Sequence, residues 1–161
     1  MTASYSVLFV CLGNICRSPL AEAAFRQEIE RLGLEVEVDS AGTGRWHVGE
    51  PPDRRAQRIA LKNGMDISTY RARQVRKDDF HRFTHIVALD SKNLEALEAT
   101  KPSAAMANIT LLLDHADGRK GEAVADPYYG GEAGFEITWA DVSAGARGLA
   151  ARLAQPDDNA R

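Results

Sequence analysis

Val10-Cys11-Leu12-Gly13-Asn14-Ile15-Cys16-Arg17-Ser18-Pro19 lies between an unbroken apolar run at residues 7–10 and a stretch of helical periodicity. A short run that is apolar at every position suits a strand buried on both faces of a parallel sheet. Ser18 suits a helix N-cap and Pro19 a first helical residue, because the amide that proline lacks has no partner inside the helix. The stretch therefore reads as strand, tight loop and helix N-terminus. Five residues separate Cys11 from Arg17, and a fully extended chain would hold the two side chains about 20 Å apart at roughly 3.3–3.6 Å per residue. They can serve one ligand only if the loop curls. Gly13 and Asn14 are residue types that tolerate left-handed backbone, and such a curl turns successive amides inward as an anion-binding nest at the positive end of a helix.

A cysteine in that field, with Arg17 and the Ser18 hydroxyl in reach, favours the thiolate and so offers a nucleophile. The planar fork of Arg17 can hold two oxygens of a tetrahedral anion. A cysteine and an arginine at this spacing also fit a buried thiol beside a surface cation; Gly-Asn, Ser-Pro and the flanking pattern weigh against that blander reading.

The sequence CLGNICRSP, C-x5-R-S set between strand and helix, resembles the low-molecular-weight protein tyrosine phosphatases, and the likeness runs along most of the chain. The resemblance implies that Cys11 attacks phosphorus to give a phosphocysteine that water then hydrolyses. The amides of Leu12, Gly13, Asn14, Ile15 and Cys16, with Arg17, would bind the phosphoryl oxygens. It implies further that Asn14 holds the loop shape, that Ser18 donates a hydrogen bond to the thiolate, and that Ser40 of Ser40-Ala41-Gly42-Thr43 bonds to the loop asparagine. Trp46 would line one wall of a substrate cleft, with His47 beside it. Asp126 of Asp126-Pro127-Tyr128-Tyr129-Gly130 would be the general acid and then the base, protonated with help from the neighbouring thiolate and phosphate dianion. Tyr128 and Tyr129 would form the opposite rim, where either is also a candidate target of a cognate tyrosine kinase. The residues alone leave simpler alternatives open: a plain turn at Ser40, a lid over a satellite core at Trp46, a tyrosine pair packed under the last helix. Tyr70 stands where many members of that family carry a histidine and is given no role.

With 161 residues, 44% of them hydrophobic, the chain suits one globular domain, residues 1–161. A net charge of −3 and a pI near 5.8 argue against nucleic acid or an anionic membrane as the main partner. No apolar run approaches the roughly 20 residues of a membrane span, so a cytoplasmic protein is expected, as a monomer or weak dimer acting on tyrosine-phosphorylated proteins. Both cysteines sit in the loop, and His47, His81, His85 and His115 are scattered without ligand spacing, so neither a metal nor a cofactor is expected.

Downstream, Ala21, Phe25, Ile29 and Leu32 give a helical stripe that Gly33 ends. Residues 34–40 alternate as a strand, and residues 53–63 read as a helix with Arg54, Arg55 and Arg58 on a solvated face. Residues 85–89 and 109–113 read as two further strands, with Asp90-Ser91 capping a helix through Leu94 and Leu97. Phe135, Trp139, Val142, Ala146, Leu149 and Leu153 form the longest helical stripe, and residues 156–161 a frayed polar tail. Strands alternating with helices predict an α/β fold: a doubly wound, four-stranded parallel sheet flanked by helices, with the phosphate-binding loop at the C-terminal end of the first strand.

Three rival functions share parts of this pattern. Arsenate reductases of one class use the same loop but pass oxidation to downstream cysteines, and no cysteine follows Cys16. Protein-arginine phosphatases have a threonine where this chain has Ile15, whose apolar wall suits an aryl ring better than a guanidinium. A phosphoprotein-binding module with a degenerate site would not need Cys11, Arg17 and Asp126 together. Cys16, in the same curled loop as Cys11, suggests a redox device in which peroxide drives a Cys11–Cys16 disulfide; a small buried thiol is the simpler alternative.

Overall fold

The computed structural model describes residues 4–155; the polar tail expected at residues 156–161 lies outside them. Four strands, β1 (Tyr5–Cys11), β2 (Val36–Gly42), β3 (His85–Ala88) and β4 (Asn108–Leu111), form one parallel sheet in the order β2-β1-β3-β4. Strand β1 is central because it is apolar on both faces. Val7 and Phe9 face one core with helices α1 (Arg17–Leu32), α2 (Arg54–Lys62) and α5 (Glu132–Ala154). Leu8 and Val10 face the other with α3 (Asp79–Arg82) and α4 (Ser91–Thr100).

From β1 the chain crosses to β2 on one side and later to β3 on the other. The strand order therefore reverses between β1 and β3, where a crevice opens beyond the strand ends. Cys11 leaves β1 there, and Leu89-Asp90 leaves β3 beside it, with the Leu89 amide bonded to the Val10 carbonyl at 3.0 Å.

Local boundaries differ from the sequence reading where side chains find tertiary partners. Helix α1 begins at Arg17, with Cys16 in the N-cap position, so Ser18 is inside the helix and caps nothing. Gly33 ends α1 in the left-handed region (φ 68°), with its own amide bonded to Glu30 O and that of Leu34 to Ile29 O. Strand β2 runs on to Gly42, because residues 73–75 lie alongside: the Gly42 amide bonds to Arg73 O and the Val75 amide to Gly42 O, each at 2.8 Å. Strand β4 gives way at Leu112 to a 3-10 turn, Leu112–His115, on which α5 packs so closely that glycine is required. A Cβ on Gly148 would lie 1.7 Å from the His115 carbonyl oxygen, backbone that cannot swing aside.

His115 is buried at this contact. Arg152 donates to its Nδ1 at 3.0 Å, which leaves Nε2–H to donate to Thr110 Oγ1 at 2.9 Å. Burial, reinforced by the Arg152 charge, lowers its pKa to about 4. A histidine held neutral in the fold binds its proton more readily when unfolded, so its contribution to stability is complete above about pH 6.5 and is lost as pH falls toward about 4. The midpoint of urea unfolding should therefore drop between pH 7 and pH 4.5, and less so in His115→Asn, which has no proton to gain there. Gly148→Ala should destabilise the fold by about 3 kcal/mol through overpacking, read in the same urea titration at pH 7.

Candidate active site

The loop after β1 curls because Asn14 takes the left-handed conformation, at φ 60°. Gly13 does not; its lack of a Cβ is used for space, since one would lie 3.1 Å from the His47 ring. The buried Asn14 side chain then pins the curl. Its Nδ2 donates to Ser18 Oγ (2.8 Å) and Ser40 Oγ (3.0 Å), its Oδ1 accepts from the Arg73 amide (3.0 Å), and its own amide points at Cys11 Sγ (3.3 Å). With Asn14 donating to Ser18 Oγ, the Ser18 hydroxyl hydrogen has two acceptors in reach, Cys11 Sγ at 3.0 Å and the Ala41 carbonyl at 3.4 Å, of which the sulfur is the nearer. Ser40 in turn donates to buried Glu22 (2.9 Å), whose pKa burial raises against the pull of Arg26.

Arg17 lies almost wholly out of solvent. Its Nη1 donates to Asp90 Oδ2 at 2.7 Å and to the Val124 carbonyl at 3.0 Å, and its Nη2 stands 3.7 Å from Asp126 Oδ2. Burial works against its charge, but Cys11 and Asp90 outweigh burial and raise its pKa. Buried Arg17 Nε has no hydrogen-bond partner among the described residues. A buried, unsatisfied cationic donor is costly, and a tetrahedral anion beside Cys11 would supply the missing acceptor. Asp90 is a residue that sequence reading treated only as a cap. Its Oδ1 does accept the Asn93 amide at the start of α4, while Oδ2 holds Arg17.

Cys11, Leu12, Gly13, Ile15, Cys16 and Arg17 form the floor of a cleft of about 330 Å³ whose walls are Trp46, His47, Asp126, Tyr128 and Tyr129. Trp46 is 69% exposed and lies over Gly44, where a Cβ would strike its ring, so it covers no satellite core. Tyr129 is 95% exposed and meets Tyr128 edge to face at 5.0 Å, so this pair is not packed beneath α5. His47 and Tyr128 bring the two rims within 6.5 Å, ring centre to ring centre. Asp126 Oδ1 accepts the Tyr128 amide at 3.1 Å, which leaves Oδ2 turned toward Arg17. Burial, aided by Asp53, pushes the Cys16 thiol up, so Cys16 stays protonated at neutral pH. Among the described residues no group of three histidines, cysteines or carboxylates could hold a metal ion.

Arg55, assigned to a solvated face from its position in α2, has a different place. It is held by Asp53, and from there it donates to the carbonyls of Tyr128 and Gly130, each at 2.8 Å, with its guanidinium 5.7 Å from the centre of the Tyr128 ring and 4.7 Å from that of Phe135. Asp53 itself donates its amide to Ile15 O at 2.9 Å. One residue pair thus ties the Asp126 segment to the loop that holds Cys11. The sequence offered no signal for it beyond a second arginine at the start of a helix.

A family model described as low molecular weight phosphotyrosine protein phosphatase matches residues 6–159. The chain is 47% identical over 138 residues to the low molecular weight phosphotyrosine protein phosphatase of Schizosaccharomyces pombe, covering 84% of this chain and 88% of that one. Among solved structures it is similar to YfkJ from Bacillus subtilis (TM-score 0.85, 39% identity, 93% of this chain and 94% of that one). It is also similar to a Drosophila arginine phosphatase (TM-score 0.86, 32% identity, 94% and 99%). The chain belongs to the low molecular weight phosphotyrosine protein phosphatase family.

Arg55→Ala should loosen the rim without unfolding the core: hydrogen exchange at the bonded amides of Tyr128 and Gly130 should accelerate about tenfold or more, while the β1 amides stay protected. Unchanged exchange at the rim would show that Asp126 is placed without this tether.

Proposed function

We propose that this chain is a cysteine-dependent protein tyrosine phosphatase. The observation that carries the reading is the buried, charged Arg17, whose Nε has no partner among the described residues, in the cleft beside Cys11 Sγ. Cys11 Sγ attacks phosphorus as the phosphorus–oxygen bond to the tyrosyl ring breaks, and Asp126 gives its proton to the departing phenolate. The loop amides of residues 12–16 and Arg17 bind the three other oxygens throughout. Water, deprotonated by Asp126, then attacks phosphorus; inorganic phosphate leaves and Cys11 departs as thiolate, accepting a hydrogen bond from the Ser18 hydroxyl. Asn14 and Ser40 keep the loop curled. Trp46 on one side and Tyr128 and Tyr129 on the other grip the substrate ring by stacking.

A second reading, hydrolysis of phosphoarginine, is favoured by the likeness to the Drosophila arginine phosphatase. Ile15 speaks for the aryl ester, because it lines the cleft with a hydrocarbon side chain and offers no hydroxyl to the polar guanidinium side of phosphoarginine. Under peroxide, Cys11 and Cys16 would close a disulfide that spares Cys11 further oxidation, and Tyr129, 95% exposed, would serve a tyrosine kinase better than Tyr128, 37% exposed. A cytoplasmic location fits a chain with reduced loop cysteines; among the described residues no helix is long and apolar enough to cross a membrane.

Without added metal, the protein should hydrolyse para-nitrophenyl phosphate and phosphotyrosine peptides and leave phosphoserine and phosphoarginine peptides largely intact. Cys11→Ser should lose at least about a thousandfold in kcat. Asp126→Ala should lose about 10²–10⁴-fold in kcat on phosphotyrosine. Turnover that survives Cys11→Ser would sink the mechanism, and faster turnover of phosphoarginine would replace tyrosine as the substrate.

A further inference from the structure

Residues 45–77 hold nine arginines and lysines against three acids, an excess of six positive charges in a chain of net charge −3, so the remainder carries −9 (−3 minus 6). Part of that excess is neutralised by neighbours. Arg55 pairs with Asp53, Arg58 with Glu132, Lys62 with Glu136, and Arg73 with Asp39 and Asp79. Among the described residues Arg54 and Arg71 form no ion pair; both are exposed, and Arg71 donates to the carbonyls of Ser68 and Tyr70.

Arg54 and Arg71 line, with Arg58, a groove of about 690 Å³ whose apolar wall is Pro51, Pro52 and Leu61. Its one carboxylate, Asp66, is occupied by its own turn, accepting the Ser68 amide at 2.9 Å. Prolines offer no amide, so charged recognition in the groove falls to the arginine forks, which match carboxylates bidentately. The groove adjoins the cleft through consecutive residues. Asp53, next after Pro52, bonds to the phosphate loop at Ile15 O, and Arg55, next after Arg54, holds the Tyr128 rim.

We propose that this groove docks an acidic stretch of the same protein whose phosphotyrosine enters the cleft, a proposal that rests on the phosphatase reading above. Flanking glutamates or aspartates would meet Arg54 and Arg71 while their aliphatic stems lie on Pro51, Pro52 and Leu61. A long polyanion such as nucleic acid fits less well, because the −9 carried by the rest of the chain repels it outside this short basic face. The docking contacts act on binding, so they lower KM and leave kcat alone.

The test uses two phosphotyrosine peptides of one sequence, with either a run of glutamates or a run of glutamines beside the phosphotyrosine. The parent should show a three- to ten-fold higher kcat/KM on the glutamate peptide, about what two exposed ion pairs provide, and the gap should close in about 0.5 M NaCl. Arg54→Gln/Arg71→Gln should erase the gap and leave para-nitrophenyl phosphate turnover and Tm unchanged. Equal kcat/KM for the two peptides in the parent, or a gap that survives the double variant, overturns the proposal. Anisotropy of the labelled peptides on Cys11→Ser repeats the comparison without turnover. An inert parent that still binds the glutamate peptide more tightly would indict the phosphatase reading and keep the groove; ordinary turnover with equal affinities would do the reverse.

Discussion

Everything at the cleft depends on one backbone residue held where side chains other than glycine rarely go. Asn14 at φ 60° gives the loop its curl, and the position is stable only because each polar end of the amide has a buried partner. Those partners come from α1, from β2 and from the segment after residue 72. A left-handed non-glycine residue is strained by itself; here three separate parts of the fold over-determine it. The curl of the loop is therefore set by the fold itself, and its ordering cost is met during folding.

Around that curl the structure arranges its charges in layers. Arg17 is answered by Asp90, which anchors the guanidinium from behind, while Asp126 stands farther off and partly exposed. Arg73, whose amide serves Asn14, is itself clamped by Asp39 and buried Asp79. Glu22 sits beneath Ser40 and is answered by Arg26 at 2.8 Å. Each buried charge in this region has a counter-charge within direct contact, as a low-dielectric interior demands. What is left at the cleft floor is a donor and not an unanswered charge: Arg17 Nε has no partner among the described residues.

How far the sequence could reveal this follows from where each contact originates. The sheet and its crossing helices were legible because periodicity is local, and the apolar run at residues 7–10 could only be a strand covered on both sides. The grouping of Cys11, Asn14, Arg17 and Ser18 was legible because they share one short loop. The N-terminus of α1 was misplaced by two residues: Ser18 has a capping hydroxyl, but the tertiary position of Cys11 and Asn14 claims it first. Asp90 was seen as a cap and not as the anchor of Arg17, although a carboxylate at the end of a strand next to the topological switch point is a signal that could have been read. Arg55 carried no such signal. Its place depends on how α2 settles on the Asp126 segment, which no spacing encodes.

Asp90 also bears on how this site can change over generations. One carboxylate serves two masters, an amide at the head of α4 and the guanidinium of Arg17. Serine would keep the cap and abandon the arginine; glutamate, one methylene longer, would reach the arginine with a stem too long for the cap; asparagine has one acceptor oxygen where the two contacts need two, so its NH2 would face either the Asn93 amide or the Arg17 guanidinium, donor against donor. Every single-step replacement forfeits one duty, so drift at this position has to pass through a handicapped intermediate or wait for a compensating change in Arg17's other neighbours. The arrangement of the site is in this sense guarded by a residue that does not line the cleft, and its mutational isolation comes from pleiotropy within a single side chain.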